Sequence, residues 1–302
     1  MKKSFVFWVE EYFYNPNLFQ KIVSSILSPI SFLYCIMMFL RFKIQTEEDF
    51  GIKIISVGNL NVGGSGKTPL VTALSLKYEN AAIILRGYGR ESKGLHIVKD
   101  FDNILCDVKT SGDEAMIYAK LVKNAIVIVS EDRKIAIRRA KEMGAEIVFL
   151  DDGYSKHSIK KLDLLIEVNS ENNFCLPAGP FRERLWKSKE CVILRDGIDC
   201  KRIVNLKDDT SKMSLVTAIA RPARLDEYLP EVVSKNYFED HHTFIKSEIE
   251  DIFKRDDCDS LLVTYKDFVK LESFGFPLSL LDMYLEVTED VFIAIDDYIS
   301  LK

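Results

Sequence analysis

The chain is 302 residues long, 47% apolar and 29% charged, with a formal net charge of −5. That composition suits a globular protein of up to two domains, and without a global basic field it excludes nucleic acid as a partner bound by overall charge. The six cysteines (Cys35, Cys106, Cys175, Cys191, Cys200, Cys258) form no C-x-x-C pair, which excludes a disulfide framework or zinc signature and suits a reducing compartment.

Residues Ile22 to Leu40 contain no charge over nineteen positions, close to the length that crosses a bilayer core. Arg41 and Lys43 follow at once, and Phe5, Phe7, Trp8, Tyr12, Phe13 and Tyr14 precede it as an aromatic segment suited to an interface. The apolar run starts late and no small-residue cleavage site follows, which argues against a cleaved signal peptide. A membrane-anchoring segment over 1–44 is the favoured reading. The alternative is a hydrophobic helix buried against the domain, since Ser24, Ser25, Ser28 and Pro29 weaken the span. Length and composition do not distinguish a crossing helix from one lying in a single leaflet.

From Gly51 onward apolar strands alternate with helices. The expected strands are Lys53–Val57, Ala81–Leu85, Ala125–Val129, Glu146–Leu150 and Leu162–Val168, with helices at Lys67–Tyr78, Asp113–Lys123 and Asp132–Met143. Continuous apolar strands separated by helices imply a doubly wound parallel sheet covered on both faces. The pattern breaks near Asn169–Pro180. A second series follows, with strands at Ser214–Ile219, Ser260–Val263 and Met283–Val287 and helices near Arg224–Leu229, Ser247–Lys254 and Thr288–Ile299. The expected division is therefore a main domain at 45–205 and a smaller α/β domain at 206–302, with a cleft between them as a substrate site.

The first strand runs into Gly58-Asn59-Leu60-Asn61-Val62-Gly63-Gly64-Ser65-Gly66-Lys67-Thr68-Pro69. Strand, glycine-dense turn and helix start make a phosphate-binding loop. Glycines let backbone N–H groups face phosphate oxygens, and the helix N-terminus adds partial positive charge. Lys67 reaches the β/γ-phosphates and the Thr68 hydroxyl sits on Mg²⁺. The strict pattern wants glycine at position 61; Asn61 stands there, and asparagine tolerates positive φ better than most residues.

Downstream, Ile147-Val148-Phe149-Leu150 ends in Asp151-Asp152, where a carboxylate meets phosphate-bound metal at the sheet's carboxyl edge; an acidic turn with an N-cap is the plainer alternative. Asp113, in Ser111-Gly112-Asp113-Glu114-Ala115, is either a helix cap or the carboxylate that an attacking hydroxyl needs. The loop Arg86-Gly87-Tyr88-Gly89-Arg90 suits an anionic ligand. Glu131-Asp132-Arg133 opens a charged helix whose Arg133 is placed to reach a phosphate. Leu176–Trp186 mixes cations with aromatics, as an interdomain loop or a lid against lipid head groups. Asp240-His241-His242 offers acid–base or relay chemistry, or metal ligation without further ligands nearby in sequence.

Taken in order, these segments resemble the tetraacyldisaccharide 4′-kinase family over nearly the whole chain. The resemblance rests on Val57–Pro69, R-G-Y-G-R (Arg86–Arg90), G-D-E-A (Gly112–Ala115), Asp132-Arg133, D-D-G-Y (Asp151–Tyr154), L-P-A-G-P-F-R-E (Leu176–Glu183) and D-H-H-x-F (Asp240–Phe244). The family also lacks the strict glycine where Asn61 stands. It implies a P-loop NTPase-like doubly wound parallel sheet with a second, smaller α/β domain and an N-terminal membrane helix. It also implies transfer of the ATP γ-phosphate to the 4′-hydroxyl of a tetraacylated glucosamine disaccharide 1-phosphate, at the cytoplasmic face of the inner membrane. By motif, Asn61, Gly63, Gly64, Ser65, Gly66, Lys67, Thr68 and Arg133 hold ATP, and Thr68, Asp151 and Asp152 hold Mg²⁺. Asp113 is the base or orienter, coupled to His241 in preference to His242. Two segments depart from the family: Ser155-Lys156-His157 replaces Q-H, and Thr264-Tyr265-Lys266-Asp267 replaces T-E-K-D. The alternative from another class is a membrane-tethered nucleotide-hydrolysing switch; a GTPase of that kind would show N-K-x-D, which the chain lacks.

Overall fold

A computed structural model describes residues 2–63, 66–187, 189–219 and 222–301, with side chains from Trp8 onward. Gly64 and Ser65 of the glycine-rich turn lie outside the described residues.

Two helices open the chain, α1 (Lys2–Tyr14) and α2 (Leu18–Ile44). Asn17 caps α2 in a box closed by Gln20, which satisfies two backbone donors reciprocally. Next come β1 (Lys53–Gly58), α3 (Lys67–Ser75), β2 (Ala81–Leu85), β3 (His96–Asp100) and β4 (Asn103–Ile104), then α4 (Val108–Ser111) and α5 (Asp113–Leu121). The first half is completed by β5 (Ile126–Val129), α6 (Arg133–Glu142), β6 (Ile147–Asp151), β7 (Leu162–Ile166) and β8 (Val192–Leu194).

These eight strands form one sheet in the order β4-β3-β5-β2-β6-β1-β7-β8. The run from β5 to β8 is parallel, and β3 and β4 add an antiparallel edge that the sequence pattern did not announce. Strands β2, β5 and β6 are buried at every position, as parallel strands covered on both faces must be. Helix α6 seals one face through Ala136, Ile137 and Ala140 against Ile84, Ile128 and Val148.

The second sheet holds β9 (Cys200–Lys207), β10 (Met213–Thr217), β11 (Lys235–Tyr237), β12 (Ser260–Thr264) and β13 (Leu278–Val287), in the order β11-β10-β12-β13-β9. It starts at Cys200, a few residues ahead of the expected boundary. Its helices are α7 (Lys246–Asp256), α8 (Tyr265–Leu271) and α9 (Glu289–Ser300); the helix expected near Arg224–Leu229 is a 3₁₀ turn at Pro222–Leu225. The two halves share a core: Leu285, Val291, Phe292 and Ile295 join Leu70, Leu74, Tyr118 and Phe149 in one apolar cluster. That packing carries α8 against α5 at the carboxyl edge of the first sheet.

Helix α2 has inverted polarity. Its buried positions are Gln20, Ser24, Ser31 and Met38, while Phe19, Ile26, Phe32, Leu33, Met37 and Ile44 are exposed. The buried side grips the segment 172–184: Asn172 Nδ2 donates to Ser24 Oγ at 3.1 Å, and Ser31 Oγ donates to the Cys175 carbonyl at 2.7 Å. Cys35 and Cys175, 140 residues apart, form a disulfide there. This bond corrects the expectation, drawn from cysteine spacing, of a chain without disulfides suited to a reducing compartment; spacing could not show it, because the contact is made only when α2 folds back over this segment. Among the described cysteines, Cys106, Cys191, Cys200 and Cys258 are free thiols.

Candidate active site

Strand β1 pairs with β6 so that Val57 stands opposite Asp151. The glycine-rich turn therefore leaves β1 beside the acid pair. Gly66, at φ +82°, caps α3 in the left-handed region, which L side chains rarely adopt. Asn61 is buried, and its Nδ2 donates to the Val168 carbonyl at 3.3 Å; its side chain ties the turn to the segment after β7. Asn59 Nδ2 donates to the Asn61 carbonyl at 2.8 Å, and Asn59 Oδ1 accepts from Lys67 Nζ at 3.0 Å. The Lys67 ammonium also lies 3.7 Å from Asp152.

The two acids have different surroundings. Asp151 is 4% exposed; its Oδ2 accepts from the Tyr118 hydroxyl at 2.8 Å and its Oδ1 has no partner. Burial pushes its carboxyl above the usual range. Thr68 is a second hydrogen-bond partner of Tyr118, so hydroxyl, phenol and carboxylate stand in a chain. Asp152 sits at φ +54°, a strained backbone of the kind that collects at functional sites. Arg182 clamps it with both guanidinium nitrogens and donates to Asn59 Oδ1 at 3.0 Å. Although burial raises it, Lys67 and Arg182 hold the Asp152 carboxyl low. Arg182 and Glu183 were legible only as part of a motif. The Glu183 carboxylate is 3% exposed, has no hydrogen-bond donor on either oxygen, and lies 3.6 Å from His157 Nε2.

Across the sheet edge lies a second group. Gly112, at φ +83°, would drive a Cβ to 2.9 Å from the Tyr88 carbonyl, and Gly87, at φ +70°, would meet the Ser111 carbonyl at 2.9 Å. These two glycines let the R-G-Y-G-R loop touch the turn that starts α5. Asp113, the first residue of α5, is buried and accepts from His241 Nδ1 at 3.0 Å. Lys270 Nζ stands 3.3 Å and Lys266 Nζ 3.7 Å from the same carboxylate. Burial alone would raise the Asp113 carboxyl, but the His241 hydrogen bond and these cations hold it well below the usual range. Lys266 Nζ also lies 3.1 Å from His241 Nε2. An ammonium can only donate, so Nε2 accepts and Nδ1 carries the proton that faces Asp113. Residue 241 is at φ +60° and its ring lies 4.8 Å from Tyr88. His242 turns away to Glu248 Oε2 at 3.0 Å, so the adjacent histidines do not converge on one metal.

Glu114 follows Asp113. Burial, with Asp151 nearby, pushes its carboxyl up to about 7. Arg133 is 4% exposed, donates to the Ser130 carbonyl and keeps an unpartnered Nε; burial lowers its pKa while Asp151 and Asp152 oppose the shift. Lys270 was not singled out from the sequence, and Lys266 entered only within the Thr264–Asp267 segment that departs from the family; their i, i+4 spacing on α8 puts both on one helix face.

The family model for tetraacyldisaccharide-1-P 4′-kinases matches residues 23–203 and 199–299. A tetraacyldisaccharide 4′-kinase of Aliarcobacter butzleri is 47% identical over 99% of both chains. One from Helicobacter pylori is 44% identical over 97% of this chain and 95% of its own. The crystal structure of LpxK from Aquifex aeolicus in complex with ATP superposes with a TM-score of 0.72 over 92% of this chain and 100% of its own, at 24% identity, and shares the fold. The chain belongs to the tetraacyldisaccharide 4′-kinase family.

Proposed function

We propose that this protein transfers the γ-phosphoryl group of ATP to the 4′-hydroxyl of a tetraacyl glucosamine disaccharide 1-phosphate, a step of lipid A biosynthesis. The observation that carries the reading is the opposition of two groups across one sheet edge. Lys67 and the Asp151–Asp152 pair stand on one side, and the Asp113–His241 pair on the other.

In this reading Asn61, Gly63 and Gly66 shape the loop around the phosphates, with Lys67 and Arg133 supplying positive charge. The buried, unpartnered Asp151 Oδ1 and the Thr68 and Asp152 side chains fit Mg²⁺. No cluster of three His, Cys, Asp or Glu stands ready for a metal among the described residues, as expected for an ion held by one or two carboxylates and substrate phosphates. Bound Mg²⁺ neutralises charge developing on the transferred group. Asp113 is too well stabilised as a carboxylate to be a strong base. Its role is to accept a hydrogen bond from the attacking hydroxyl and align it, which a loose phosphoryl-transfer transition state requires more than early proton removal.

Helix α2 is long and apolar enough to cross a membrane. Its buried face, however, is bonded to the domain from Ser24 to Arg41, which leaves little length free to pass through a bilayer. We infer that it lies in one leaflet of the inner membrane with its apolar face in lipid, the catalytic domains facing the cytoplasm where ATP is supplied. The acceptor's acyl chains then stay in the bilayer while its sugar enters the cleft. The test is incubation with γ-labelled ATP, Mg²⁺ and the acylated disaccharide 1-phosphate. Label must move to the lipid; release of inorganic phosphate alone would favour the nucleotide switch.

A further inference from the structure

Three neighbouring parallel strands deliver cations to one edge of the first sheet. Arg86 follows β2, Arg133 opens α6 just after β5, and Lys156 stands in the turn after β6. The order β5-β2-β6-β1 makes these consecutive positions beside the phosphate loop. A fourth cation comes from the anchor helix: Arg41 Nη2 donates to the Ser155 carbonyl at 2.9 Å, next to Lys156. Arg41 and Ser155 line a cavity of about 180 Å³ that also reaches Asn59, Asp152 and Arg182.

Arg86 and Lys156 are short of counter-charge, whereas Arg41 shares its cavity with the Asp152 and Glu183 carboxylates. Among the described residues, Arg86 and Lys156 make no side-chain hydrogen bond or ion pair. Arg133 is 4% exposed with its Nε unpartnered; of the acids it faces, Asp151 and Asp152 are those assigned to the metal and Glu131 is paired with Arg90. Lys156 is set among Arg133, Arg41 and Arg86, whose charges act on it more strongly than the Asp132 carboxylate does. That carboxylate is already engaged in capping α6 through the Lys134 and Ile135 N–H groups. Burial and the surrounding cations lower the Lys156 ammonium from its usual range. Arg133 is buried, Lys156 half-buried, and Arg41 and Arg86 exposed at the rim; like charges gathered from four elements around the two less exposed cations raise the free energy of the empty protein and are stabilised when an anion enters. A solvated charge run would instead lie along one helix face.

We propose that Arg41, Arg86 and Lys156, beside the Arg133 already assigned to ATP, form a second phosphate subsite, separate from the phosphate loop, that takes a phosphate monoester group. It rests on the kinase reading, which supplies two sources of that group: the phosphate already present on the acceptor lipid, and a phosphate of the nucleotide. Guanidinium forks pair bidentately with such oxygens while the lysine adds a point charge. Arg41 ties the subsite to the membrane helix, where the head group of a lipid acceptor would arrive.

The test compares full-length wild type with Lys156→Ala, Arg41→Ala and the charge-keeping Lys156→Arg, in detergent–lipid micelles with γ-labelled ATP and Mg²⁺. Each is assayed with the acylated disaccharide carrying its 1-phosphate and with the same disaccharide lacking it; ATP affinity is measured separately by calorimetry. If wild type labels neither lipid, the kinase reading itself fails. Given transfer by wild type, loss of one phosphate contact should raise a constant about tenfold. A KM increase for the phosphorylated acceptor alone, restored by Lys156→Arg, supports the subsite and assigns it to the acceptor. A matching loss of ATP affinity, with acceptor KM unchanged, supports it and assigns it to the nucleotide. Equal KM increases for both acceptors, or constants within about twofold of wild type throughout, would overturn it.

Discussion

Replacing Asp113 by asparagine removes one charge at almost constant volume. The carboxylate stands 3.3 Å from Lys270 Nζ and 3.7 Å from Lys266 Nζ. At an effective dielectric constant of about 20, each contact corresponds to about 4–5 kcal/mol of Coulomb attraction before desolvation. His241 adds a hydrogen bond at 3.0 Å. These terms outweigh burial and keep Asp113 ionised well below neutral pH. An asparagine offers at most one neutral acceptor to the hydroxyl and to His241 Nδ1. It also removes the carboxylate that Lys266 and Lys270 share, leaving Lys266 its ion pair with Asp240 at 2.9 Å. Loss of hydroxyl alignment should lower kcat by about 10²–10⁴, or about 3–5 kcal/mol. ATP affinity should stay within about threefold, because the phosphate loop is untouched. Because Asp113 and His241 act as a unit, adding His241→Gln should cost little more than either change alone. Initial rates of label transfer at saturating ATP, with calorimetric ATP titrations, measure both quantities. An effect confined to ATP affinity, or rate losses that add in the double variant, would refute the reasoning.

Lys67→Ala removes the ammonium that bridges Asn59 and Asp152 and should abolish transfer of label; near-normal activity would take the phosphate loop out of the mechanism. For Glu114, the native carboxyl holds its proton up to about 7, whereas the unfolded chain releases it near about 4.3. The native state thus binds more protons in that window, and stability falls as pH rises through it. Glu114→Gln should therefore flatten the decline in Tm between about pH 5 and pH 8, and an unchanged slope in thermal scans would count against the buried, raised carboxyl. Ile26→Glu with Leu33→Glu places two charges on the exposed face of α2 and should release the protein from anionic vesicles in sedimentation assays. Undiminished co-sedimentation would mean that this face is not the lipid contact.

How much was legible follows from the kind of signal each feature leaves. The parallel strands appear as short apolar runs bounded by turns, because both their faces are buried, and β2 and β12 coincide closely with the expected spans. The glycine-rich turn and the acid pair were legible because each occupies contiguous residues at a strand's end. The antiparallel edge β3–β4 was not, since His96–Asp100 is half polar and β4 has two residues. Helix α8 was hidden by its length of seven residues, and with it Lys270 and the helical placement of Lys266. Nothing in the sequence could place those lysines opposite Asp113, because that contact depends on packing of the second sheet against α3 and α5. The choice between His241 and His242 has the same character: one peptide unit separates them, and the positive φ at 241 sends them to different acids.

The serines that weaken α2 as a membrane span have a structural explanation. Ser24 and Ser31 lie on the buried face, where they bond Asn172 and the Cys175 carbonyl. Ser25 and Ser28, on the exposed side, return their hydroxyls to the Lys21 and Ser25 carbonyls at 3.0 and 2.8 Å, so neither presents an unsatisfied donor to lipid. Tyr34 continues the buried row by donating to the Arg182 carbonyl at 3.1 Å. The segment held by that row meets the phosphate loop on its other side. Val62 N–H donates to the Pro180 carbonyl and Arg182 N–H to the Leu60 carbonyl, both at 2.9 Å. The Arg182 side chain then fixes Asp152 and Asn59. Two layers of hydrogen bonds thus connect α2, with its exposed apolar face, to the residues around Lys67. An anchor joined by a flexible linker would hold the enzyme near its substrate without orienting it. A helix bonded at Ser24, Ser31, Tyr34 and Arg41 to the wall of the phosphate loop would instead fix the height and tilt of the cleft relative to a bilayer in which it lay, as the proposed acceptor, with its acyl chains in the membrane, would require.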